Sequence, residues 1–230
     1  GQSWAQIVGT IEIPTPAAAD SLAAIGDINA DSLPDLAVGY ASYAGPTCPG
    51  TKCGAISVLH IDAPAGSYAF QGMLEDPNGA LDGALFGSAL AALGNANTYG
   101  TPAIAVGAPG QSGSMGAVSL LTFEDAGNFA WGISLSYGSD YLPSPLVTGD
   151  RFGAALAATS DLDNNGQIDL VVGIPGRSGL APSSNNSGSI AFYNISSSML
   201  IETSAQELDA QSGEISNAFG PTSDGVPTEF

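Results

Sequence analysis

Positive charge is what this chain of 230 residues most lacks. Three basic residues, Lys52, Arg151 and Arg177, stand against 22 acidic ones, giving a net charge of -19. Nucleic acid and anionic membrane surfaces are therefore poor partners. Charge of either sign is scarce, at 11% of residues, so Gly, Ser, Ala, Asn and Thr must carry the surface. That suits glycosylation or packing against identical chains, and host amino-acid usage would produce it equally well. No apolar run approaches the roughly 20 residues that a membrane helix needs. The first residues do not read as a signal peptide, and no Pro/Ser-rich linker divides the chain. Histidine occurs once, at His60, in an apolar stretch where packing explains it better than acid–base chemistry. No phosphate-binding Gly loop, zinc motif or Arg-Gly-Asp tripeptide is present. Glu75-Asp76 and Glu124-Asp125 pair carboxylates between strands, where solvation accounts for them. The chain is therefore not read as an enzyme.

Cysteine is nearly absent too. Cys48 and Cys53 stand close together in the turn-rich stretch Gly45–Gly54. Without further Cys or a nearby His they make a poor zinc site. A local disulfide is expected, which implies an oxidising compartment, with free thiols as the alternative. Asn185-Asn186-Ser187 and Asn194-Ile195-Ser196 fit the N-glycosylation acceptor pattern. Asn185 lies in a polar loop and is the better candidate, whereas Asn194 ends a strand.

What the chain has instead is internal repetition. Gly26–Gly39, Gly94–Gly107 and Ser160–Gly173 are versions of one segment. Asp27, Asn95 and Asp161 hold the same place in each copy, at almost equal intervals. Phe86-Gly87, Phe152-Gly153 and Phe219-Gly220 keep step with them. So do Gly107-Ala108-Pro109 and Gly173-Ile174-Pro175, and the Gly-opened apolar runs Gly54–Leu59, Gly116–Leu121 and Gly188–Tyr193. A period this long suits a four-stranded unit. Short apolar runs bounded by Gly, Pro, Asn and Asp favour strands over helices. The first strands are expected at Ala84–Leu93 and Phe152–Thr159, and the second at Asp35–Val38, Ala103–Val106 and Asp169–Val172. The Gly-opened runs come third. Closing strands are expected at Tyr68–Leu74, Asn128–Ser136 and Ser198–Thr203. Gln6–Ile13 reads as a closing strand with no unit before it.

The repeated segment also carries ligand spacing. Calcium takes six to eight oxygens at about 2.3–2.6 Å. Asp161, Asp163 and Asn165 occupy positions one, three and five. Gln167 offers its main-chain carbonyl at seven, and Asp169 closes at nine. The first unit offers Asp27, Asn29, Asp31, the carbonyl of Leu33, and Asp35. Position twelve, where an EF-hand has its Glu, holds Val38 and Val172, and a strand follows. The middle unit has Tyr99 and Ala103 in place of carboxylates, so no ion is expected there. The alternative is an Asx-rich turn without metal. An ion so enclosed would stabilise the unit and leave little Lewis acidity for a substrate.

The combined motif resembles FG-GAP repeats, the blades of the integrin alpha-subunit propeller and its relatives, over residues 18 to 222. The third unit carries the resemblance best, through Arg151-Phe152-Gly153-Ala154, Asp161 to Asp169, and Gly173-Ile174-Pro175. The first departs from it, with Ala18-Ala19 where Phe-Gly belongs and Gly39-Tyr40-Ala41 for Gly-Ala-Pro. The resemblance implies an all-β propeller-type array of four-stranded antiparallel blades, with calcium in the hairpin between the first two strands. Residues 18–83, 84–149 and 150–216 then make three blades. Residues 1–17 hold the orphan strand, and 217–230 start a fourth unit. About seven blades usually close such a propeller, so this chain holds about half a ring. The function expected is a calcium-binding extracellular or cell-surface module for adhesion or self-assembly, its partners other protein chains, identical copies included. A carbohydrate-binding propeller using Trp4, Trp131, Tyr137, Tyr141 and Tyr193 is the second reading. An accessory domain of a larger extracellular enzyme is the third.

Overall fold

The structure, a computed structural model, describes residues 17–62, 67–77, 79, 81–95, 102–123, 129–142, 144–178, 188–196, 201 and 206–209. Each repeat folds as one antiparallel sheet. The first sheet comprises β1 (Ser21–Gly26), β2 (Asp35–Tyr40), β3 (Ala55–Asp62), β4 (Ser67–Phe70) and β5 (Leu74–Glu75). The second holds β6 (Ala89–Asn95), β7 (Pro102–Ala108), β8 (Ala117–Phe123) and β9 (Phe129–Ser136). The third holds β10 (Ala155–Ala158), β11 (Leu170–Ile174), β12 (Ser189–Tyr193) and β13 (Gln206–Asp209). Strands pair with their sequence neighbours, except that β5 returns to pair with β3 beside β4. One helical turn at Gln111–Ser114 links β7 to β8. The all-β blade architecture expected from the repeats is thus observed, and the three sheets do not close into a ring. The orphan strand Gln6–Ile13 and the opening at Phe219-Gly220 lie outside the described residues.

Sheet faces follow the two-residue period of a strand. On β2, Ala37 points to the second sheet, while Val38 and Tyr40 point away from it. The core therefore sits between blades. Ile25, Ala37, Ile56 and Val58 of the first sheet meet Ile104, Val106 and Phe123 of the second, with Phe86 between them. Leu93, Ala105, Val118 and Leu120 of the second meet Leu170, Val172 and Tyr193 of the third, around Phe152. The Phe152 and Tyr193 rings meet edge-on, with centroids 6.1 Å apart. An edge-to-face pair adds to the gain from burial alone.

The first strands start later than the sequence suggests. Phe86 and Phe152 do not open β6 and β10. They cross to the preceding blade and form single parallel bridges with Gly54 and Gly116. The Phe86 amide donates to the Cys53 carbonyl (2.9 Å), and the Phe152 amide to that of Met115 (3.0 Å). A Cβ on Gly54 would collide with the main chain of Phe86, and one on Gly116 with that of Phe152, each well inside 3.0 Å. Gly54 and Gly116 are glycines because the next blade's main chain fills their side-chain space.

Two closing strands also differ. The expected Tyr68–Leu74 strand is interrupted, with β4 pairing with the end of β3 and β5 with its start. In the third blade the closing strand is β13, later than Ser198–Thr203. Of that stretch only Ile201 is described, in a bridge with Ile195. Glu207 explains the shift, because its carboxylate bonds Arg177 and Ser189 and draws β13 onto β12. The disulfide Cys48–Cys53 is formed. It braces the loop whose last carbonyl receives the Phe86 amide.

Phe152→Ala should cost about 3–5 kcal/mol of stability. Urea unfolding would show it, and a loss below about 1 kcal/mol would mean that the ring does not hold the blades together.

Candidate metal centres

The first and third blades build one turn from different side chains. In the third, the Asp161 carboxylate accepts the amides of Asn165 (3.0 Å) and Gly166 (2.7 Å). Asp163 accepts the Asn165 amide (3.1 Å), and the Asn165 side-chain oxygen accepts the Gln167 amide (2.8 Å). In the first, Asp27 accepts the amides of Asp31 (3.1 Å) and Ser32 (2.7 Å). Asn29 accepts the Asp31 amide (3.1 Å), and Asp31 accepts the Leu33 amide (2.8 Å). Nested Asx turns of this kind wind the chain tightly. Positions four and six are left-handed in both loops: Ala30 (φ 62°) and Ser32 (φ 73°), then Asn164 (φ 62°) and Gly166 (φ 87°).

The carboxylate at position nine ties each loop to its sheet. Asp169 is fully buried and accepts the amides of Leu162 (2.7 Å) and Ile195 (3.0 Å). Asp35, equally buried, accepts those of Ile28 (3.0 Å) and Ile61 (3.0 Å). One side chain thus satisfies a loop amide and an amide at the end of the third strand. The middle blade buries the methyl of Ala103 at this position. Its loop, including Asn97 and Tyr99, lies outside the described residues.

Among the described residues, the carboxylates of Asp161, Asp163 and Asp169 are the one acidic trio gathered within 4.8 Å. Burial pushes the Asp161 carboxyl up, and the amides of Gly166, Asn165 and Asn164 outweigh it, leaving its pKa below the ordinary carboxylate value. The group therefore stays ionised beside its like-charged neighbours. A hard, all-oxygen donor set with gathered negative charge fits a calcium ion. The first loop gathers no such trio, because Asn29 stands at position three.

His60 is 4% exposed, and its Nδ1 lies 3.2 Å from Asp35 without a hydrogen bond. Its neighbour is a buried carboxylate, and no substrate could reach either group. Asn194, at the matching place in the third blade, is half-buried next to Ile195. Asn185 lies outside the described residues. Of the aromatic candidates, Tyr193 is in the core, while Tyr137 and Tyr141 are 61% and 38% exposed. Trp4 and the Trp131 side chain lie outside the described residues.

One cluster was not anticipated. Arg177, 7% exposed, donates to Asp150 (2.5 Å), to Glu207 (2.8 Å) and to the Pro145 carbonyl (2.9 Å). It joins the loop before the Phe152 crossing to β13. Burial works to raise the Glu207 carboxyl, but bonds from Arg177, Ser144 and Ser189 hold its pKa below the ordinary value. The only available signal was the rarity of arginine in so acidic a chain. A depressed folded pKa stabilises the fold above the unfolded value and loses that contribution as pH falls through the folded one. Glu207→Gln should therefore lower stability at neutral pH and flatten its fall below about pH 4.3. Thermal melts across pH check this, and an unchanged acid limb would remove Glu207 as its source.

The left-handed backbone at Ser32 carries a penalty that Gly166 avoids. Ser32→Gly should stabilise the fold by about 1 kcal/mol. Destabilisation in chemical unfolding would show that the serine side chain contributes more than its strain costs.

Three propeller-type blades with Phe-Gly crossings and two acidic hairpins define the class of protein. Comparison with known proteins agrees. Over 162 residues the chain is 35% identical to integrin alpha-IIb of Mus musculus, covering 69% of this chain and 15% of that protein. Integrin alpha-IIb of Homo sapiens is 34% identical over the same shares. Integrin alpha-D of Homo sapiens is 32% identical over 153 residues, 66% of this chain and 12% of that protein. The chain therefore matches a small part of these subunits' length. No family model matches it. The chain belongs with the FG-GAP repeats of integrin alpha subunits.

Proposed function

We propose that this chain is a calcium-stabilised, non-catalytic propeller segment of an extracellular or cell-surface protein, serving adhesion or assembly through contacts with other protein chains. The observation that carries this reading is the duplicate loop. Hairpins in the first and third blades place oxygen donors at the same positions on the same main-chain scaffold, although Asn and Asp exchange places between them. Asp161, Asp163, Asn165, the Gln167 carbonyl and Asp169 would hold one ion. Asp27, Asn29, Asp31, the Leu33 carbonyl and Asp35 would hold the other. A bound calcium ion supplies positive charge that offsets the gathered carboxylates. The chain's own part is to keep the turn wound through its amide bonds and to anchor it through the buried Asp35 and Asp169.

Similarity to integrin alpha subunits supports an adhesive role and a cell-surface place. No helix among the described residues is long and apolar enough to cross a membrane. The disulfide supports an oxidising compartment. Asn185 is the better glycosylation site, since Asn194 is half-buried at the foot of a metal loop. The blade boundaries that fit this reading remain 18–83, 84–149 and 150–216. Self-association of identical chains is part of the proposal, because blades bury their apolar faces only against neighbours.

Calorimetric titration of the full chain with calcium tests the reading. Two ions should bind, with Kd values of about 10⁻⁴–10⁻³ M, as extracellular modules show. A loop with a Kd of about 10⁻⁴ M gains about 2.7 kcal/mol of stability in about 10 mM calcium. Asp163→Ala, at an exposed position, should remove one ion and leave the fold intact. No binding at millimolar calcium would sink the proposal and leave two metal-free Asx turns.

A further inference from the structure

The outer face of the third blade carries a seat that both earlier blades have filled. On the first blade, a Cβ added to Gly39 would collide with the Gly87 carbonyl. On the second, a Cβ at Gly107 would collide with the Gly153 carbonyl. In each case the Phe-Gly of the following blade has taken the space. Gly173 is the same position on the third blade, and among the described residues the nearest atom to its added Cβ is the Ala155 Cβ at 3.2 Å. Gly188 repeats the contrast. The main chains of Phe86 and Phe152 occupy the side-chain space of Gly54 and Gly116, whereas at Gly188 the nearest atom among the described residues is the Pro175 oxygen at 3.5 Å. Its φ of 72° nevertheless keeps the left-handed form of the other two. Ile190 completes the set. Its counterparts Ile56 and Val118 are fully buried, and Ile190 is 41% exposed.

We propose that this seat binds a Phe-Gly dipeptide, and that its occupant is Phe219-Gly220 of this chain. Three observations select it. Phe219 continues the period, since the step from Phe152 to Phe219 matches that from Phe86 to Phe152 to within one position. It also lies as far beyond Gly188, again to within one position, as Phe86 lies beyond Gly54. A second copy stacking head-to-tail would instead bring Ala18-Ala19 to the seat, and two methyl groups cannot fill the space of a benzyl ring. The seat thus continues the array from within the chain. The inference is independent of calcium.

Two measurements on the full chain test it. The first is thiol labelling of Ile190→Cys, read against the native disulfide-bonded pair. The introduced thiol should react slowly, and adding Phe219→Ala should speed labelling about tenfold or more. The second is a double-mutant cycle by thermal melting. Gly173→Ala alone should lower Tm, as Gly107→Ala should, and should lose most of that effect in the Phe219→Ala background. Equal labelling rates, or additive effects, would overturn the proposal. Protection that survives Phe219→Ala but fades on dilution would hand the seat to a second copy and overturn it as well.

Discussion

The structure depends on one crossing. A Phe-Gly pair leaves its own blade and lies against the Gly-opened strand of the blade before it. Its main chain pairs with that strand, and its ring fills the gap between two sheets. Each sheet alone has two apolar faces and no way to bury either. The crossing solves registry and burial together. The amide bond from Phe86 to Cys53 sets where the second blade sits on the first, and the ring then decides which side chains meet. This is why glycine recurs at Gly54 and Gly116. A side chain there would collide with the next blade's backbone, which is harder to move than another side chain.

The acidic loops solve a second problem, that of holding the far end of each blade. The third strands end at residues whose amides have no partner in the ladder. Asp35 and Asp169 reach across to take those amides, and with the same carboxylate group each takes an amide of its own loop. A buried carboxylate is costly unless hydrogen bonds surround it, and each has two main-chain donors. The middle blade meets the same constraint without charge, with Ala103 packed where the others place Asp. Under the proposed calcium reading, Asp35 and Asp169 would serve both the ion and the sheet, so replacing either would also loosen the blade.

Much of this was legible in the sequence because repeats align with themselves. The loop positions, the third strands and the disulfide follow from spacing and local chemistry, and each lies within a few residues of its partners. What stayed hidden depends on contacts between distant residues. Arg177 and Glu207 are 30 residues apart, and nothing local says that their ion pair sets the closing strand of the third blade. Phe86 and Phe152 look like the starts of strands because an apolar residue before Gly, Ser and Ala reads that way. Only the stacked neighbour shows that they belong to the previous blade. His60 reads as a packed strand residue in sequence, but only the fold shows that its buried neighbour is Asp35.

The two ends of the array are unequal, and the inequality limits what each can do. The third blade presents a glycine-lined seat shaped for a Phe-Gly pair. The first presents an apolar groove of about 380 Å³ lined by Ala19, Leu22, Leu36, Val38 and Leu59, with Asp20 and Ser21 at its edge. Leu22 there is 63% exposed. The leading edge of the first blade has Ala18-Ala19 where the two described junctions have Phe86-Gly87 and Phe152-Gly153, so it lacks the ring by which those blades dock. Neighbours on that side must approach Leu22 and Leu36 with side chains of their own.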